Sequence, residues 1–140
     1  MTTAAQIKAY LESLPEGKRA DMEALHKLIR QRVPKEKLWF DTGKDASGKT
    51  VTNPAIGYGQ QVLRYADGKQ KEFFKVGISA NSSGITVYLM GLKDKNFLSN
   101  NYAKTLGKAT VTSYCIKFKK LADVAVPALE GAIVDRMNAD

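Results

Sequence analysis

The stretch from Ile56 to Gly91 constrains the fold more than any other part of the chain, because its apolar residues recur with period two between tight-turn signals. Phe74, Val76 and Ile78 alternate with Phe73, Lys75, Gly77 and Ser79, and Ile85, Val87 and Leu89 alternate with Thr86, Tyr88 and Met90. β-Branched and aromatic residues in strict alternation mark strands with one buried face. Asp67-Gly68 and Ser83-Gly84 punctuate the runs, and an aspartate before glycine suits a hairpin because both accept positive φ. The spacing therefore predicts a three-stranded meander over Val62–Tyr65, Phe73–Ser79 and Ile85–Met90, with helices covering its apolar face.

The flanking segments supply those helices. Ile7, Tyr10, Leu11 and Leu14 form an i, i+3, i+4, i+7 stripe that Thr2 or Thr3 caps and Pro15 ends. Met22, Leu25, Leu28 and Ile29 predict a second helix from Lys18 to Arg32, stopped before Pro34 and folded back on the first as a hairpin. Leu98, Tyr102 and Leu106 suggest a third, closed by Gly107. Thr110 to Lys119 returns to alternation, with Thr112, Tyr114, Ile116 and Phe118 on one face and Cys115, Lys117 and Lys119 on the other. Pro127 opens a last helix. The order α-α-β-β-β-α-β-α reads as a two-layer α+β domain, a mainly antiparallel sheet of about four to five strands covered by helices.

The 140 residues suit one domain, 1–140, and the single cysteine, Cys115, leaves no internal disulfide and fits a reducing, cytoplasmic setting. No apolar run reaches membrane-spanning length. A formal charge of +8 favours anionic surroundings, although charge alone bears on solubility and nonspecific contact more than on function.

Spaced motifs in this order resemble the YdhG-like family of small bacterial domains of unknown function. They are Leu38-Trp39, Ile56-Gly57-Tyr58-Gly59, Tyr65-Ala66-Asp67-Gly68, Val76-Gly77-Ile78-Ser79, Ile85 to Met90, Tyr114-Cys115-Ile116-Lys117 and Leu121-Ala122-Asp123. The resemblance implies a compact α+β fold similar to that of secretion chaperones and, for some relatives, a frataxin-like role as an iron chaperone. It supplies no catalytic residues to carry over. The chain departs from the family pattern in a longer loop between Trp39 and Ile56, and in Ala80-Asn81-Ser82-Ser83 where many relatives carry a Pro-Arg-Lys turn.

The residues themselves argue against catalysis. His26 is the one histidine, with no nucleophile near it in sequence, and Glu23 with His26 is half of a di-iron pattern that needs a second such pair. Gly43 to Thr50 matches G-x-x-x-x-G-K-[ST], but Val51-Thr52-Asn53-Pro54 follows where a phosphate-binding loop must open a helix. Binding is the remaining class, with no cofactor implied. Trp39, Tyr58, Tyr65, Ser79 and Tyr88 are the candidate lining of a ligand pocket, between sheet and helices or at a homodimer seam, for a small molecule or a protein partner. Lys104, Lys108, Lys117, Lys119 and Lys120 are a candidate basic face for a polyanion such as nucleic acid. That use is not favoured, since Tyr114 and Phe118 alternate away from the lysines. Glu12, Glu16, Asp21 and Glu23 are the acids on which iron binding would depend, interspersed with Lys8, Lys18, Arg19 and Lys27.

Overall fold

The alternating residues do build the sheet, but they are divided among strands differently. The computed structural model describes residues 2–139. Its strands are β1 (Leu38–Asp41), β2 (Ala55–Tyr58), β3 (Gln61–Arg64), β4 (Gln70–Phe73), β5 (Val76–Asn81), β6 (Gly84–Leu89), β7 (Thr110–Val111) and β8 (Cys115–Phe118). Six of them form an antiparallel sheet in the order β1-β2-β5-β6-β8-β7, and β3 pairs only with β4. The helices are α1 (Thr3–Glu12), α2 (Glu16–Arg32), α3 (Phe97–Tyr102) and α4 (Val126–Asn138). The α+β class and the mainly antiparallel sheet stand as expected; the sheet has more strands than the four to five expected. No described helix is long and apolar enough to cross a membrane.

Three differences have physical causes. Val62–Tyr65 is not the first strand of the meander. Ile56 and Tyr58 carry the apolar positions beside β5 and take that place, whereas Val62 is 45% exposed in a hairpin that leaves the sheet. Thr110 to Lys119 is not one strand but two, because Thr112 Oγ1 accepts from the Cys115 amide at 3.1 Å and turns the chain back. Tyr114 therefore sits in a turn, 50% exposed, and not on the buried face. The third helix stops at Tyr102, although Leu106 still reaches the core from the turn that follows.

Where the turn signals are chemical they hold. Gly68 takes φ +86° at the tip of β3–β4, and Asp67 accepts from the Lys69 amide at 3.0 Å. Thr2 caps α1 by accepting from the Ala5 amide at 3.1 Å.

The two faces of the large sheet differ. Ile56, Tyr58, Val76, Ile78, Val87, Leu89 and Ile116 are buried with Met22, Leu25 and Ile29 of α2 and with Leu129, Ala132 and Ile133 of α4 in one core. The opposite face carries the cross-strand row Trp39–Gly57–Gly77–Tyr88–Cys115. A side chain on either glycine would collide with Phe74, whose ring atoms lie 2.4 Å from a Cβ on Gly57 and 2.5 Å from one on Gly77. Phe74 thus covers the outer face over β2 and β5. Phe73 packs on it with ring centroids 4.0 Å apart, and Trp39 meets Phe73 edge-on at 6.4 Å.

Replacing Gly77 by valine forces this ring aside, and we expect a loss of about 1–3 kcal/mol, the usual range for overpacking. Urea denaturation checks this. In Phe74→Leu the same change should cost measurably less, and an equal cost in both backgrounds would refute the contact.

Candidate functional site

With α1, α2 and α4 on one face and Phe74 over β2 and β5, the outer face of β6, β8 and β7 is the part of the sheet that neither the helices nor Phe74 covers. Register puts Thr86, Lys117 and Thr110 in one cross-strand row there. Tyr88 stands one row further along the sheet. This row is polar for a local reason: Ile116 and Phe118 turn inward on β8, so Lys117 between them turns out, as Thr86 does between Ile85 and Val87. The loops around the row raise walls. Asn53 precedes β2, the Asn81–Gly84 turn joins β5 to β6, Lys108 leads into β7 and Lys119 leaves β8. The result is an open concavity of about 890 Å³. Lys108, Lys117 and Lys119 are exposed along it, and Asp123 is its one acidic lining residue.

Ser79 and Cys115 border this region but are closed to a ligand. Ser79 is fully buried and donates from Oγ to the Pro54 carbonyl at 2.6 Å. Cys115 is buried with its sulfur 3.0 Å from Thr112 Oγ1. Tyr88 is half-buried, and burial raises its phenol pKa, with smaller contributions from Cys115, Tyr114 and Tyr10.

The five residues nominated for a pocket are not brought together. Tyr88 alone lines the concavity. Trp39 lies at the far end of the outer face, donating from Nε1 to the Gly59 carbonyl at 2.6 Å, with the Lys37 ammonium 4.2 Å from its ring centre. Tyr65 is half-exposed beside the β3–β4 turn. Tyr58 lies on the helix side, fully buried, its hydroxyl 2.5 Å from His26 Nδ1. Of the five lysines, Lys108, Lys117 and Lys119 line the concavity, while Lys104 and Lys120 are exposed without lining it. Among the described residues no three acids, histidines or cysteines gather where an ion could be held. Glu12 lies 4.0 Å from Lys8, and Asp21 accepts from the Leu121 amide at 3.1 Å.

The Gly43–Thr50 string is a small hairpin closed on itself. Asp45 Oδ1 accepts from the amides of Ser47 at 2.9 Å and Lys49 at 3.1 Å, and from the Ser47 hydroxyl at 2.6 Å. The carboxylate thus takes up amides that a phosphate would need, and these bonds hold its pKa below the usual value. Lys44 pairs with Thr50 across the hairpin, and no helix follows.

Sequence reasoning missed one buried junction. Arg136 on α4 is 1% exposed. It donates from Nε to the Met90 carbonyl, from Nη1 to the Ala139 carbonyl at 3.0 Å, and from Nη2 to Gln61 Oε1 at 2.8 Å. Gln61 Nε2 donates in turn to the carbonyls of Phe74 and Met90, each at 3.0 Å. Burial lowers the Arg136 pKa. Only the charge at position 136, set inside the apolar stripe of α4, hinted at this.

A second concavity of about 470 Å³, lined by Leu92, Phe97, Asp135 and Asn138 among others, contains no nominated residue. Beside it the Tyr102 hydroxyl donates to Asp135, and burial followed by that bond lifts the phenol pKa to about 12. Comparison with protein-family models, with curated proteins and with solved structures returned no match.

The His26–Tyr58 contact gives a pH prediction. Burial, then the nearby Arg30, lowers the His26 pKa below 6.5. The unfolded chain therefore takes up this proton first as pH falls. The stability that neutral His26 contributes is complete above that value and declines as pH drops from it toward the folded pKa. An NMR titration of the imidazole should place its midpoint below 6.5. Between about pH 7.5 and 5.5, His26→Gln should lose less stability than the parent; a midpoint at or above the ordinary value would contradict this.

Proposed function

We propose that the chain is a non-enzymatic binding or adaptor domain, of the YdhG-like family that its motifs resemble, and that it takes an anionic ligand in the concavity on the outer face of β6, β8 and β7. The observation that carries this reading is the convergence of exposed Lys108, Lys117 and Lys119 on one recess, with Thr110, Tyr88 and Asn53 offering hydroxyl and amide groups. Three ammonium groups against one carboxylate make the local field positive, and a concave wall strengthens it by excluding water from one side. The net charge of +8 adds to that field at longer range.

The same distribution favours an anion over a metal cargo. Iron carriage needs carboxylates gathered on one surface, and Glu12, Glu16, Asp21 and Glu23 form no such group. A binding role also agrees with the state of the single histidine. His26 is hydrogen-bonded to a buried phenol, with neither a serine nor a cysteine among its hydrogen-bond partners. The helices on one face of an antiparallel sheet support the likeness to secretion chaperones, and the buried unpaired Cys115 suits a cytoplasmic setting.

Titration of isotope-labelled protein with inorganic pyrophosphate tests the site. Amides of Thr86, Tyr88, Thr110, Lys117 and Lys119 should shift, and Lys117→Glu with Lys119→Glu should weaken binding at least about tenfold, as expected for losing two charge-assisted contacts. Lys93→Glu, outside the recess, should change it little. Shifts confined to the Gly43–Thr50 hairpin, or binding indifferent to the double change, would refute this placement.

A further inference from the structure

The recess is open to solvent, and this restricts what it can hold. Sites for small molecules enclose most of the ligand, burying roughly 70–90% of its surface. An open concavity floored by a sheet and rimmed by loops leaves one side of its ligand to solvent. Such a surface gains affinity by repeating contacts along an extended ligand. Three cations line this face: Lys108 before β7, Lys117 within β8 and Lys119 just past it.

The second observation is aromatic. Tyr88 lines the recess on β6, and Tyr114, in the turn leading into β8, is 50% exposed. Tyr114 directly precedes Cys115, which pairs with Tyr88 across β6 and β8, so its backbone lies at the Tyr88 end of the platform, next to the recess and outside its lining. Of the two aromatics whose inward alternation is the ground for setting nucleic acid aside, Phe118 is buried as expected, whereas Tyr114 is 50% exposed at the turn over Thr112–Tyr114.

We infer that this face binds single-stranded nucleic acid, with backbone phosphates on Lys108, Lys117 and Lys119 and bases stacked against Tyr114 and Tyr88. This rests on the anionic-ligand reading above and names the ligand class for that site. Lysines along a groove track a phosphate backbone, and exposed rings accept unpaired bases of any sequence. A duplex keeps its bases stacked on one another and offers the tyrosines nothing, and this concave face projects no element into a duplex groove.

Fluorescence anisotropy with labelled 12-nucleotide oligothymidine and oligouridine, set against a duplex of equal length, tests the inference. Neutralising three phosphates of a single strand gives a log–log salt slope of about −2, so raising salt from about 50 to 200 mM should weaken binding roughly 20-fold. Lys117→Ala should reduce that slope by about 0.7. Tyr114→Ala, at a turn position 50% exposed, should weaken binding roughly 5- to 100-fold and leave the slope unchanged. Equal affinity for the duplex, a flat salt dependence, or full binding by Tyr114→Ala would overturn the inference. Pyrophosphate shifting the amides of the recess while neither oligonucleotide binds would refute the polymer and leave the anion site standing. No shift with either would refute both.

Discussion

Gly57 and Gly77 face each other in adjacent strands and leave the outer side of the sheet without side chains at its middle; the ring of Phe74 lies in that gap. Much of the molecule follows from this contact. It lets β2 and β5 be buried on both faces, explains why Phe74 and the four residues Val76 to Ser79 are hidden from water, and marks where covered sheet ends. Trp39 and Phe73 extend the cover to the β1 edge, and Tyr88 stands at its other border, opposite Gly77. Beyond Tyr88 the outer row turns polar at Thr86, Lys117 and Thr110, and the recess begins.

The ring is placed by a polar junction at its back. Arg136 and Gln61 together fix the carbonyls of Met90 and Phe74, so one guanidinium and one carboxamide set the root of the β3–β4 hairpin against the end of α4. Each of these acceptors is neutral, and among the described residues Arg136 has no ion-pair partner. A buried cation held by oriented dipoles is stable only while all of them stay in register. The junction is therefore a source of geometric definition more than of net stability. It ties together segments that are remote in sequence.

What the sequence made legible was governed by local chemistry. Alternation in Ile85–Leu89 and the turns at Asp67-Gly68 and Ser83-Gly84 are properties of a few adjacent residues, and they appear where expected. Val62–Tyr65 carries strand chemistry too, but whether such a run joins the large sheet depends on competition with Ile56–Tyr58, which the run itself does not encode. A period extended through Thr112 points Tyr114 inward, and the Thr112 side-chain bond to the Cys115 amide breaks that period. Lys108, Lys117, Lys119 and Tyr88 were legible as candidates one by one. Their meeting in one recess depends on strand order, since β8 is inserted between β6 and β7. The Arg136–Gln61 pairing joins residues 75 positions apart and has no local signature.

The segregation of the two faces has a consequence for how such a domain can change over generations. The hydrophobic core cluster of the described residues lies on the helix side, whereas Lys108, Lys117, Lys119 and Thr110 are exposed and are not part of it. Substitutions among them leave the folding equilibrium nearly untouched, in the way of surface changes generally. The recess can therefore drift in charge and shape while the scaffold stays fixed. Lineages sharing this architecture can diverge in what they hold without passing through unstable intermediates, and similarity in the core foretells little about similarity of ligand.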